Sequence, residues 1–144
     1  MREIRLFVRL SAQERMLLLH ATSTVAAARL ALWLFPFRWV RRPASRRRAV
    51  SLPLAAIPIR RLSWAVRAAA RRIPQASCLT QALALQHLLI RAGHGSEIWI
   101  GVAKDQLRGF DSHAWVHCRG EIVLGDDCEL GRYAPILTLR ASEI

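Results

Sequence analysis

The spacing of the apolar residues changes near residue 96, and this change limits the folds that the chain can adopt. Before it, apolar residues recur every three or four positions, as in "CLTQALALQHLLI", which is typical of helices. From Glu97 onward they alternate with polar residues, as in "EIWIGVAK", "SHAWVHC" and "EIVLG", which is typical of strands. Helices followed by a short antiparallel meander predict an α+β domain, and 144 residues suffice for one compact domain.

The first helix is predicted over about 12–34. Ser11 and Glu14 form a capping-box pattern at its start, and Pro36 ends it. An apolar stripe suits docking on the rest of the domain: Leu17, Leu18, Val25, Leu32 and Phe35. The alternative is an amphipathic helix that lies on a membrane surface. Since His20 and Arg29 interrupt the apolar run, we do not expect a transmembrane helix.

Two more helical regions precede the strands. The second spans 54–72 and is expected to break at Pro58. The third begins at Cys78, ends at Gly93 or Gly95, and is apolar on most sides, which predicts a central buried helix. We therefore divide the chain into a helical, basic segment at 1–50 and a core at 51–144.

The formal net charge is +12, and Lys104 is the only lysine among the basic residues. This balance suits an acidic partner, whether nucleic acid, an anionic membrane surface, or an acidic protein or peptide. An arginine-rich composition alone accounts for it equally well. The densest basic run lies in the connector after the first helix, at Arg41, Arg42, Arg46, Arg47 and Arg48.

The three cysteines are Cys78, Cys118 and Cys128, with no CxxC pair and no spacing typical of zinc sites. We therefore expect no metal and no cofactor. The N-terminus lacks an apolar stretch with a small-residue cleavage site, which predicts a cytoplasmic protein with free thiols.

Cys78 is the candidate nucleophile, because the N–H groups and dipole at a helix N-terminus stabilise a thiolate. The same N–H groups can hold an oxyanion, and Gln75 and Gln81 are candidate side-chain donors to it. The alternative is a small buried residue that begins a core helix.

The base for such a nucleophile is sought in the strands. In a strand His113, Trp115 and His117 share one face. If Arg119-Gly120 is a two-residue hairpin loop, His113 lies directly opposite Asp126, at about 4.5–5.5 Å between Cβ atoms. A three-residue loop would instead favour Asp127, and arginine is an unfavoured residue where φ must be positive.

The other polar groups of this region are weaker candidates. His117 is the rival base, but the two-residue loop places Ile122 opposite it, which cannot orient an imidazole. Cys118 faces away and is expected in the core, and Cys128 has no evident base. A zinc site from these histidines and cysteines would need both faces of one strand.

These residues together resemble the transglutaminase-like cysteine proteases of lasso-peptide biosynthesis, over roughly residues 60–130. The matching motifs are Cys-Leu-x-Gln-Ala-Leu-Ala at 78–84, Gly-Val at 101–102, His-Ala-Trp-Val at 113–116 and Gly-Asp at 125–126. The pair His117-Cys118 departs from the family, in which an acidic residue is common after the His-Ala-Trp-Val motif.

The resemblance implies a papain-like, transglutaminase-type core with Cys78 as nucleophile, His113 as base and Asp126 as orienting carboxylate. It implies a leader peptidase that frees the core of a ribosomally made lasso precursor peptide for a separate cyclase. Leader recognition would come from a separate protein in trans, and Trp115 and Trp99 are candidates to line the substrate pocket. The alternative function is a basic protein that binds nucleic acid or an anionic surface without catalysis.

Overall fold

The computed structural model describes residues 10–40, 52–107, 109–126 and 129–141. Its helices are α1 (Ala12–Leu34), α2 (Phe37–Val40), α3 (Leu52–Ala55), α4 (Ile59–Ala70) and α5 (Cys78–Arg91). Its strands are β1 (Ser96–Asp105), β2 (Gly109–Cys118), β3 (Glu121–Leu124) and β4 (Ala134–Ala141), with a short 3-10 helix at Leu130–Arg132. The predicted α+β class is confirmed. The arginine cluster of the connector, Asp127 and Cys128 lie outside the described residues.

The first helix begins and ends where the sequence predicts. The Glu14 backbone N–H donates to Ser11 Oγ at 3.2 Å, and the Ser11 N–H donates to the Glu14 carboxylate at 2.9 Å. This reciprocal pair satisfies two N–H groups that the first turn leaves free. The helix ends at Leu34, two residues before Pro36.

Helix α1 is apolar on two sides. One side supplies Leu17, Leu18, Ala21 and Val25 to the core that it shares with α4 and α5. The other side exposes large apolar residues: Met16, Leu19, Leu30, Trp33 and Leu34. By length and composition α1 is long enough and apolar enough to cross a membrane, contrary to the expectation from the sequence. Of its most apolar stretch, 22% is buried inside the structure.

The second and third helical regions also follow the prediction. Pro58 separates α3 from α4, because proline cannot donate the hydrogen bond that would continue the helix. Ser77 caps α5 through a hydrogen bond from the Thr80 N–H at 3.3 Å. Helix α5 packs against α1, α4, β1 and β2, so the predicted central position is confirmed.

All strand pairs of the four-stranded sheet are antiparallel, and the strand order is β3-β2-β1-β4. The first three strands were predicted and the fourth was not. Pro135 and the polar residues of "APILTLRA" obscure its alternation, although Leu137, Leu139 and Ala141 do occupy every second position. As an edge strand, β4 tolerates a proline near its start.

The hairpin between β2 and β3 has the predicted two-residue loop. Arg119 and Gly120 both have positive φ, at 53° and 80°, and Cys118 pairs with Glu121. These angles are those of a type I′ turn, in which Arg119 takes a conformation that is unfavourable for a side chain. The alternative of a three-residue loop is therefore wrong.

A β-bulge in β3 shifts the pairing of β2 and β3, so the register predicted from this turn does not continue along the strands. His117 pairs with Ile122, but Val116 pairs with Leu124, so Val123 is an extra residue. The ladder then ends. The predicted pairing of His113 with Asp126 by strand register is consequently wrong, because the bulge moves the positions beyond it by one residue.

The two faces of the sheet have different environments. Ala114, Val116 and Cys118 belong to the main core beneath the helices, as expected for Cys118. On the opposite face Trp115 packs with Ala103 and Tyr133 in a second, smaller cluster. His113 shares this second face with Trp115 by strand alternation.

Candidate active site

Cys78 is the first residue of α5 and is half-buried. Its backbone N–H lies in the first helical turn, whose N–H groups have no partner within the helix. The first turn contains no acidic residue, so no carboxylate within it neutralises the positive end of the helix dipole at Cys78. The thiol therefore occupies the position that the sequence predicts for a nucleophile.

The segment before Cys78 is fastened by the two glutamines that were candidate oxyanion donors. Gln81 Nε2 donates to the Ala76 carbonyl oxygen at 3.3 Å. Gln75 has a φ of 60°, is exposed, and accepts a hydrogen bond from the Arg29 guanidinium. Both side chains thus hold the loop that leads into the nucleophile, and their role as donors to substrate stays a prediction.

His113 is half-buried, and its Nε2 lies 3.0 Å from the Gly125 carbonyl oxygen. Because a carbonyl oxygen only accepts, Nε2 carries the proton and donates it. In the neutral ring Nδ1 is then the nitrogen with the free lone pair. The Gly125 carbonyl therefore sets the tautomer that a general base requires, with Nδ1 as the basic atom.

Two aromatic rings hold the imidazole in place. The Trp115 ring stacks on His113 at 6.1 Å between centroids, and the Tyr133 ring lies at 5.3 Å. Gly101, which pairs with His113 across β1 and β2, makes room for both rings. A Cβ at position 101 would lie 2.9 Å from the Trp115 ring and 3.0 Å from Tyr133 Cβ.

Gly125 is placed by a close approach to β2. Its φ is 78°, a left-handed conformation that a side chain disfavours. A Cβ at this position would lie 2.8 Å from both the Ala114 carbonyl oxygen and Trp115 Cβ. Only glycine can lie this close to β2, and this close approach places the Gly125 carbonyl within hydrogen-bonding distance of His113.

Trp115 and His117 form a pair that supports the site. Trp115 is only 4% exposed, and its indole N–H donates to His117 Nε2 at 3.0 Å. The Trp99 ring lies 5.0 Å from that of His117. Trp115 is therefore a packing residue with little surface for a substrate, and the Nε2 of the rival base His117 already accepts a hydrogen bond.

Tyr133 connects the second cluster to a surface charge network. Its hydroxyl donates to Asp111 at 2.7 Å, and Arg132 donates to the same carboxylate at 2.8 Å and to the Tyr133 oxygen at 3.0 Å. The Arg132 hydrogen bond lowers the pKa of Tyr133, but the Asp111 hydrogen bond and desolvation raise it, and the net shift is upward. Tyr133 therefore remains protonated at neutral pH and holds its ring against His113.

Asp126 is exposed and forms no hydrogen bond with His113 or with any other described residue. Its role as the orienting carboxylate stays a prediction, and Asp127 lies outside the described residues. Likewise, Cys78 and His113 are not hydrogen-bonded to each other. Within the described ranges no three His, Cys, Asp or Glu side chains form a group that could hold a metal ion.

The Gly125 carbonyl and Tyr133 are the site groups that the sequence analysis missed. A backbone carbonyl has no sequence signature, although the Gly-Asp motif marked the position. Tyr133 lies outside the matched motifs and beyond the predicted strands.

Comparison with curated proteins and with solved structures gave no match. A sequence model of one family, described as the transglutaminase-like superfamily, matches residues 21–138. The match covers most of the chain and includes the C-terminal part of α1, the helix that begins with Cys78, the strand that carries His113, and Gly125. The chain therefore belongs to the transglutaminase-like superfamily.

Proposed function

We propose that this protein is a cysteine peptidase that removes the leader from a ribosomally made lasso precursor peptide, with Cys78 as nucleophile and His113 as base. The superfamily includes cysteine peptidases. The observation that carries the proposal is the hydrogen bond from His113 Nε2 to the Gly125 carbonyl, which leaves Nδ1 as the basic nitrogen. The substrate class rests on the resemblance of the motifs at 78–84, 113–116 and 125–126.

The arrangement of α5 and β2 supports a reaction between these two residues. At their far ends, the Cys118 thiol lies 3.3 Å from the Gly95 carbonyl, just past α5. Cys78 begins α5, which at 14 residues is about 20 Å long. His113 lies five residues before Cys118, about 17 Å along the strand. Since α5 packs against β2, these lengths are compatible with a site that both residues share.

In the proposed site the two side chains would meet at the edge of the sheet. Cys78 packs on the helix side, whereas His113 is on the opposite face. Strand β3 pairs with β2 only from Val116 onward, so none of the described strands covers the edge beside His113. The segment that contains Gly125 passes there, and the scissile peptide would occupy the same edge.

In the proposed reaction the Cys78 thiol transfers its proton to His113 Nδ1 as sulfur attacks the scissile carbonyl. The imidazolium then gives this proton to the leaving amine, the C–N bond breaks, and a thioester remains. Water attacks the thioester while His113 takes its proton and returns it to sulfur. The products are a carboxylic acid on the leader and a free amine on the core peptide.

Asp126 is proposed as the third member of the catalytic triad. It directly follows Gly125 in the chain, and its negative charge would stabilise the His113 imidazolium. Leader recognition is proposed to come from a separate protein in trans, and the released amine to serve a separate cyclase. The outward apolar side of α1 is a surface on which the recognition protein could dock. Replacing Leu30 and Trp33 by Glu should then abolish stimulation by that protein and leave slow unassisted cleavage intact.

The proposal is tested by replacing Cys78 with Ala and assaying cleavage of the cognate precursor by mass spectrometry. Cleavage should be lost while the circular dichroism spectrum and the unfolding midpoint are retained. Cys118→Ala is the matched control, because Cys118 is a buried thiol on the face of β2 opposite His113, and the substitution should leave the chemistry intact. Cleavage by the Cys78→Ala variant would refute the mechanism. Comparing Asp126→Ala with Asp127→Ala tests the third member, and equal residual activity would contradict the choice of Asp126.

A further inference from the structure

A groove of about 690 Å³ lies between α4 and the edge strand β3, away from the residues proposed for catalysis. Its volume is within the range of roughly 300–1,000 Å³ that is usual for ligand-binding clefts. Four exposed arginines line it, and Glu121 is the only acidic residue among the described residues of its lining. The four are Arg60, Arg67 and Arg71 on or directly after α4, and Arg119 in the β2–β3 turn.

These arginines are not neutralised within the described part of the chain. Arg67 donates to the Val123 carbonyl oxygen at 3.4 Å, and Arg119 lies 3.3 Å from His94 Nδ1. No ion pair joins any of the four to a described carboxylate, whereas Arg61 and Arg132 on other surfaces do have carboxylate partners. Among the described residues, the groove thus concentrates positive charge that an acidic ligand would balance.

The spacing of the arginines suits an extended peptide. Arg60, Arg67 and Arg71 follow one another at seven and four positions, so they project from one side of α4. At 1.5 Å per residue, Arg67 and Arg71 are separated by about 6 Å along the helix. Alternate residues of an extended strand are about 6.6–6.8 Å apart, so two carboxylates at alternate positions would meet this pair.

The groove also leads toward the proposed active site. Strand β3 lines one wall and continues directly into Gly125, which holds His113. Helix α4 lines the other wall, and the loop after Arg71 leads to Cys78. From Arg119 to the level of His113 the distance along β2 is about 20 Å, which an extended peptide covers in about six residues.

We infer that this groove binds an acidic, extended segment of the peptide substrate, located within about six residues of the scissile bond. The inference rests on the proposed peptidase function and adds a recognition element to it. An acidic peptide fits better than nucleic acid, because the groove lies beside the edge strand β3, along which an extended peptide can bind, and Trp64 contributes an apolar wall. Trp64 is 41% exposed, which leaves part of its indole available for contact.

Binding is tested separately from catalysis, on the full chain with Cys78→Ala. The probe is a fluorescein-labelled octapeptide with Glu at alternate positions, compared by fluorescence anisotropy with the same peptide carrying Gln. The Glu peptide should bind at least about tenfold more tightly, with an affinity that falls as salt rises. Arg67→Glu with Arg71→Glu should abolish this preference, and a Lys version of the peptide should then bind in its place.

The matched control is Arg38→Glu with Lys104→Glu, which changes the net charge equally at exposed sites outside the groove. An equal loss of affinity in the control pair would overturn the inference, because it would mean a general charge effect. Tighter binding of a single-stranded oligonucleotide that displaces the peptide would overturn it in favour of nucleic acid. Since these assays require no turnover, a failure of the peptidase proposal would appear only in the Cys78→Ala cleavage assay.

Discussion

Replacing Gly125 by Ala tests whether the backbone carbonyl at this position controls His113. At a φ of 78° an alanine costs about 1–2 kcal/mol relative to glycine. Its Cβ would also lie 2.8 Å from the Ala114 carbonyl oxygen and from Trp115 Cβ, and relieving such overpacking costs about 1–3 kcal/mol. The free energy of unfolding should therefore fall by about 2–5 kcal/mol. This loss is smaller than the stability of most domains, which is about 5–15 kcal/mol.

Gly120→Ala is the control that separates these two effects. Gly120 has nearly the same φ, at 80°, but no atom lies within 4 Å of its added Cβ. Gly120→Ala should therefore lose only the conformational part, about 1–2 kcal/mol. Urea unfolding followed by tryptophan fluorescence measures both variants.

Gly125→Ala and Gly120→Ala should differ more in precursor cleavage than in stability. To relieve the contacts, the segment at Gly125 must move away from β2, and its carbonyl then loses the His113 hydrogen bond. Precursor cleavage should fall at least about tenfold in Gly125→Ala, since misplacement of a catalytic group by about 1 Å has effects of that size or larger. Gly120→Ala should cleave normally. If both variants lose the same stability and cleave equally well, the assignment of the Gly125 carbonyl to His113 is refuted.

Three further substitutions probe the framework. Tyr133→Phe removes the hydroxyl that donates to Asp111 but keeps the ring beside His113, so the free energy of unfolding should fall by about 1 kcal/mol in urea titrations while cleavage is retained; a loss of cleavage would show that the hydroxyl itself is needed. The Ser11 backbone N–H, followed by the Arg61 guanidinium, holds the pKa of Glu14 below its ordinary value of 4.5. The charged Glu14 carboxylate therefore stabilises the fold above pH 4.5, and this stabilisation disappears as the pH falls through the folded-state pKa. Glu14→Gln should therefore be less stable than the parent at pH 7, with a gap that closes in acid, and a gap independent of pH in thermal unfolding would contradict the capping role. Ser63→Ala removes the buried hydroxyl donor to the Val123 carbonyl in the bulge of β3 and should cost about 1–2 kcal/mol in urea titrations, whereas no change would mean that Arg67 or water satisfies this carbonyl instead.

Local signals in the sequence predicted much of the fold. The Ser11–Glu14 capping box, the break at Pro58 and the helix start at Cys78 each depend on residues within a few positions, and all are confirmed. The two-residue loop is confirmed even though Arg119 is unfavourable there, because pairing of the flanking strands outweighs the local preference.

The features that sequence reasoning missed depend on the tertiary structure. The bulge at Val123 lets Leu124 share the core side with Val116, a benefit that is visible only once the helices are in place. The fourth strand depends on pairing with β1, and its own alternation is weak. The exposed side of α1 could not be distinguished from the buried side by spacing, since both sides carry apolar residues.

The bulge also fixes the number of residues between the turn and the active site. Because side chains alternate along a strand, one residue more or fewer between Gly120 and Gly125 would exchange the two faces of β3. Leu124 would leave the core, and the carbonyl that now contacts His113 would point elsewhere. Members of this superfamily that use the same hairpin should therefore tolerate changes in which residues fill this segment far better than changes in its length.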